Sequence, residues 1–164
     1  MKTTPTHSAA DRPGDTPDIK ATLIASILLG IGFMAAIDEI LFHQVLGWHH
    51  FVETDSSALA LASDGLLHTL ELVAIIAGGV MMLRLHETHR QAPGFRGAGF
   101  LLGMGGFQLF DGIVDHKLLG LHQIRYVDNL LPYDLTWNGA AIVLLLIGFW
   151  LYRRAARGQA LSQR

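Results

Sequence analysis

Asp38, Glu39 and His43 stand within six residues of one another, and His49 and His50 follow just beyond Trp48. Further on, Asp64, His68 and Glu71 are spaced i, i+4, i+7, which on a helix draws one polar stripe roughly 10 Å long. Asp111, Asp115 and His116 form a third group with His122 beyond it, and Asp134 and Asn138 a fourth. Carboxylates and neutral imidazoles together offer many lone pairs and excess negative charge, and a divalent cation answers both at once. The chain has no cysteine, which excludes disulfides, thiolate sites and iron–sulfur clusters. His with Asp or Glu suits zinc, iron, manganese or copper(II). The donors outnumber the needs of one ion, so the expectation is two ions, or one ion with a well-built outer ring of partners.

Within that set the ligands expected first are Glu39, His43, Asp64, His68, Asp111 and His116, with Asp38, Asp115, His122 and Asp134 as further candidates. Glu71 lies deeper and is expected to act as a catalytic base or proton relay. His49 and His50 read equally well as ligands or as interface residues beside Trp48. The competing account is a hydrogen-bonded polar core with Lys117 and Arg125 as its counter-ions. Glu53, Asp55 and Asp128 read as solvated charges, and no role is expected for His7, His86 or His89.

The elements that must hold these residues follow from composition. The chain is 51% apolar and only 16% charged, where a soluble domain carries about a quarter charged residues. Its apolar residues fall into four blocks, predicting an all-α polytopic membrane protein with spans over about 19–42, 59–85, 97–121 and 135–152. Residues 1–18 are expected to form a disordered cytoplasmic tail, 19–153 the membrane domain, and 154–164 a basic cytoplasmic tail. A signal peptide is the alternative reading of the first block, but its apolar run is long for one and leads directly into Asp38. Glycines interleaved with Phe, Leu and Met, as in Gly99-x-x-x-Gly103, suit close helix packing in a bilayer. A net charge of -2 offers no basic face for nucleic acid.

Ten of the twelve Lys and Arg residues lie in the two tails and the link between spans two and three; only Lys117 and Arg125 lie in the other links. By the positive-inside rule both termini are expected in the cytoplasm of a bacterial inner membrane, with the His and carboxylate groups at the outer face. Shifted by 73 residues (38 to 111), Asp38-x4-His43-x3-Gly47-x-His49 falls on Asp111-x4-His116-x3-Gly120-x-His122, and Asp55 on Asp128. After a small change in link length, Asp64-x3-His68 falls on Asp134-x3-Asn138. Two tandem-repeated hairpins related by a pseudo-two-fold axis along the membrane normal are therefore expected.

The segments Asp38-Glu39-Ile40-Leu41-Phe42-His43-Gln44, Trp48-His49-His50-Phe51, Phe110-Asp111-Gly112, Asp115-His116-Lys117 and His122-Gln123-Ile124-Arg125-Tyr126 carry a likeness. Over residues 20–152 the chain resembles an uncharacterised family of small bacterial four-helix membrane proteins, a domain of unknown function. The resemblance implies the topology and a bacterial origin, and implies no chemistry.

The residues themselves suggest a metal-dependent enzyme acting on a lipid-soluble or membrane-proximal substrate, with oxidation preferred over hydrolysis. A transporter, metallochaperone or metal sensor is the alternative. Transport fits less well, because the runs Ala21–Ile37, Leu72–Leu83, Gly97–Phe107 and Ile142–Tyr152 hold no charge that would pass an ion onward. A haem cytochrome fits least, since carboxylates crowd the same histidines. The bilayer is the one partner required; assembly of several copies is compatible with the sequence.

Overall fold

The computed structural model describes residues 16–162, and every regular element among them is helical. Helix α1 (Ile19–Ile37) runs without a break into a π-helical segment (Asp38–Val45); α2 follows (Ser57–Glu87). Helix α3 (Pro93–Phe110) likewise runs into a second π-helical segment (Asp111–Leu119), and α4 (Leu131–Ser162) closes the chain. Asp18 caps α1 by accepting from the Ala21 amide, and Pro93 opens α3, where its missing N–H costs nothing.

Four stretches are long and apolar enough to cross a bilayer: Ile19–Val45, Ser57–Glu87, Pro93–Leu119 and Leu131–Leu161. They fall on the four apolar blocks and extend beyond them at most ends, while the third stops at Leu119. Helix α4 in particular continues through residues 154–162, part of the expected C-terminal tail. The N-terminal tail to residue 15, with His7, lies outside the described residues.

Helices α1 and α3 pack against each other at the centre, α2 flanks α1, and α4 flanks α3; among the described residues α2 and α4 do not meet. The apolar bulk faces outward, through residues such as Leu61, Val73, Ile76, Leu135, Leu146 and Trp150. In a bilayer that surface is solvated by lipid, so helix association depends on close packing instead of water exclusion. Glycines supply it. A Cβ on Gly30 would run into the Phe100 carbonyl, and one on Gly103 into the Ile27 carbonyl, so α1 and α3 approach backbone to backbone. Each of these residues lies 73 positions from its counterpart (30 to 103, 27 to 100). The outer pairs show the same recurrence: Gly32 seats against Glu71 and Ile75, Gly105 against Ala141 and Leu145.

The interior is polar where a soluble bundle would be greasy. Its six largest fully buried side chains are His116, His122, Thr22, Asp38, Asp64 and Asp111, and five of those six are His or Asp at one end of the bundle. At the opposite end Arg90 pairs with Asp18 at 2.8 Å, tying the link between α2 and α3 to the start of α1.

Candidate metal centre

The two π-helical segments explain how the Asp-x4-His spacing works. In an α-helix residues five apart point in different directions; the wider π turn, closed by i→i+5 bonds, brings them to one side. Asp38 Oδ2 thus lies 3.6 Å from His43 Nε2, and Asp111 Oδ2 lies 3.3 Å from His116 Nε2. Glu39 joins the first pair, with Oε2 at 2.7 Å from His43 Nδ1. Beyond each segment the chain reverses at a glycine of positive φ, Gly47 at 57° and Gly120 at 61°, a conformation that a side chain would strain. These turns fold His49 and His122 back beneath the helix ends.

His49 and His122 stack with ring centroids 4.5 Å apart and planes within 9°. Each ring is fixed by the other hairpin: His49 Nδ1 donates to the Ile124 carbonyl at 2.8 Å, and His122 Nδ1 donates to the Phe51 carbonyl at 2.9 Å. A carbonyl can only accept, so Nδ1 carries the proton and Nε2 keeps its lone pair. That is the arrangement by which proteins orient a metal-binding imidazole. Burial, and then the neighbouring His122 and His43 rings, push His49 down to about 2, so it stays neutral.

Three overlapping donor sets result, each with its ligand atoms within 4.8 Å of one another: Glu39, His43 and Asp64; His43, His49 and His122; Asp111, His116 and His122. All of these residues are buried. His116 Nε2 and His122 Nε2 are 2.8 Å apart. His43 Nδ1, Glu39 Oε2, His49 Nε2 and His116 Nδ1 have no hydrogen-bond partner although they are shut away from water. Orphaned buried donors and acceptors are rare enough to require a reason, and a missing ion is one.

The polar-core account has no counter-ions. Among the described residues no Lys or Arg lies within ion-pair distance of Asp38, Glu39, Asp64, Glu71, Asp111 or Asp115, all of them buried. Lys117 is taken by Asp134 at 2.8 Å, and Arg125 stacks 4.9 Å over Trp48 and bonds the Tyr133 hydroxyl.

Other expected site residues fall outside the donor sets. Asp134, held by Lys117, stands apart. His68 belongs to none of the three: its side chain is 49% exposed and rests against the buried Glu71. The polar stripe of α2 therefore divides, Asp64 and Glu71 turning inward while His68 turns to the side. His50 is partly exposed and bonds Asp64 Oδ2 at 2.6 Å, a contact that raises its pKa above the ordinary histidine value. Asp64 Oδ1 also accepts from the Phe51 amide, so the carboxylate is firmly held. Asp115 is buried on the same segment as Asp111 without joining a set.

A groove of about 340 Å³ opens between the first π-helical segment and α2, lined by Glu39, Ile40, Gln44, Leu61, Asp64, Gly65 and His68. Exposed Ile40 and Leu61 share its rim with the exposed polar residues Gln44 and His68, and two carboxylates of the first donor set, Glu39 and Asp64, line it as well.

No curated protein and no solved structure matches the chain. The model of one family, described as predicted membrane protein (DUF2243), matches residues 25–155. Those residues contain the α1–α3 glycine contacts, both π-helical segments and every donor described above, and the chain belongs to this family of membrane proteins.

Proposed function

We propose that the chain is a membrane-embedded metal-binding protein, and that it works as a metal-dependent enzyme on a lipid-soluble substrate. The observation that carries this is the set of buried His, Asp and Glu atoms converging without hydrogen-bond partners and without Lys or Arg to neutralise them. Such a cluster is costly in a bilayer unless a cation is present.

The groove between the first π-helical segment and α2 favours an enzyme over a carrier. It joins the donors to the side of the bundle, where a molecule dissolved in lipid would arrive, and its size suits a small ligand. Glu71, beside His68 at the inner end of the same stripe, is placed to accept or pass a proton. Oxidation fits better than hydrolysis, because the ligand set is rich in imidazole and exposed Ile40 and Leu61 give the groove an apolar side. A metal there would supply the electron transfer; Glu39 and Asp64 would hold it at the groove, and His50 keeps Asp64 in place. By the distribution of Lys and Arg, the donors face the outer side of a bacterial inner membrane and both termini face the cytoplasm. The matched contacts of the two hairpins support a pseudo-two-fold relation along the membrane normal.

The test is elemental analysis and an absorption spectrum of the detergent-purified chain. Iron or copper at one or more equivalents, with oxygen uptake on addition of a lipid-soluble reductant, supports the reading. Metal without turnover would move it to a donor or sensor, and absence of metal after loading would end it.

A further inference from the structure

His43 differs from every other imidazole in the cluster. It is 4% exposed, and both of its ring nitrogens lack a hydrogen-bond partner. His49 and His122 each give one nitrogen to a carbonyl, His50 bonds Asp64, and His116 faces His122. Nδ1 of His43 lies 2.7 Å from Glu39 Oε2 and 3.3 Å from Asp64 Oδ1. Glu39 Oε2 is itself unpartnered, so this short approach is not a hydrogen bond. Two donor atoms that close, neither aimed at the other, share a third target. Across the ring, Nε2 is directed to the other side, toward Asp38 and the rings of His49 and His122, whose centroids lie 4.5 and 6.0 Å from that of His43. His43 belongs to two donor sets, one with Glu39 and Asp64 and one with His49 and His122.

A neutral imidazole carries one N–H and one lone pair. Either tautomer of His43 would bury an N–H with no acceptor in line. Two cations, one at each nitrogen, remove the difficulty: the ring binds both through its two lone pairs and releases its one N–H proton to water.

We infer that His43 bridges two metal ions, Nδ1 binding one together with Glu39 and Asp64, and Nε2 binding the other together with His49 and His122. This rests on the metal-binding reading above. The ions would sit roughly 6 Å apart, with a metal–nitrogen bond of ~2.1 Å on either side of the ring. They are chemically unlike. The first is rich in carboxylate, suits manganese, iron or zinc, and lies at the groove. The second is all imidazole, suits copper, zinc or iron, and is sealed beneath the turns at Gly47 and Gly120. His116, the counterpart of His43, keeps the equivalent aspartate and imidazole neighbours but lacks the carboxylate pair: Gly112 stands in place of Glu39, and Asp134, in place of Asp64, is tied to Lys117.

The full chain in detergent, loaded with copper(II) alone, tests the bridge by copper content and by integrated electron paramagnetic resonance. The expected result is two coppers per chain with less than half of them visible, because spins joined through one ring couple. Glu39→Gln and His49→Ala should each hold one copper, fully visible. Two coppers fully visible in the unaltered chain, or two coppers still held by both variants, would overturn the bridge and leave the metal site standing. No specific copper in the unaltered chain would overturn the site as well. The spectrum of the unaltered chain decides the matter even if a variant fails to fold.

Discussion

Asp38, His43 and His49 in the first hairpin correspond to Asp111, His116 and His122 in the second, and the backbones around them follow one plan. Both have a π-helical segment, a glycine turn of positive φ and a histidine bonded across to the other hairpin. What surrounds those six residues is different. The first hairpin adds Glu39, His50, His68 and Glu71, where the second has Gly112, Gln123, Asn138 and Ala141. Asp64 is buried among donors, whereas Asp134 is drawn aside by Lys117. The lesson is that a shared scaffold places the histidines, and departures from it decide which side of the bundle gathers the carboxylate donors.

Five substitutions would break or sharpen this contrast. The largest effect belongs to the shared scaffold: Gly30→Val and Gly103→Val should each destabilise the bundle by about 3 kcal/mol, since the added carbons meet a backbone carbonyl and not a movable side chain. Thermal unfolding in detergent would check this, and a large inequality between the two would count against a common plan. Next, His122→Ala removes a member of two donor sets and should lower metal affinity at least tenfold by competition with a chelator. A smaller effect is expected for His68→Ala, which should keep metal content within about twofold while slowing turnover, because His68 touches Glu71 and the groove but no donor set. Loss of most of the metal in that variant would restore His68 as a ligand. Smallest of all, Asn138→His supplies the second hairpin with the counterpart of His68 and should add no metal; an extra equivalent would mean that the hairpins differ less than their contacts indicate.

Composition was enough to reveal the four spans, because apolar residues concentrate where lipid solvates them. The donors at one end were legible for the same reason: charge inside an apolar run has few explanations. The details that escaped were matters of register and of tertiary capture. An α-helical period pairs Glu39 with His43, but it cannot pair Asp38 with His43 or Asp111 with His116; only a π turn does, and the twice-repeated Asp-x4-His spacing was its trace. His49 and His122 follow the helices in sequence and re-enter the centre only through the turns at Gly47 and Gly120, so a reading confined to helix faces ranked them below His68. His68 is displaced because, among the described residues, α2 packs only on α1 and its π-helical continuation, which leaves one flank of its polar stripe uncovered. The capture of Asp134 depends on where Lys117 points, which no spacing encodes.

The reversal of the chain at Gly47 and Gly120 also bears on how the proposed ions would enter. The returning segments close the watery end over His49 and His122, which retain 5% and 1% of their surface. The bonds from His49 to Ile124 and from His122 to Phe51 clasp one hairpin to the other over the same rings. If the proposed ion sits there, its exchange should be slow, because opening the site would separate the hairpins.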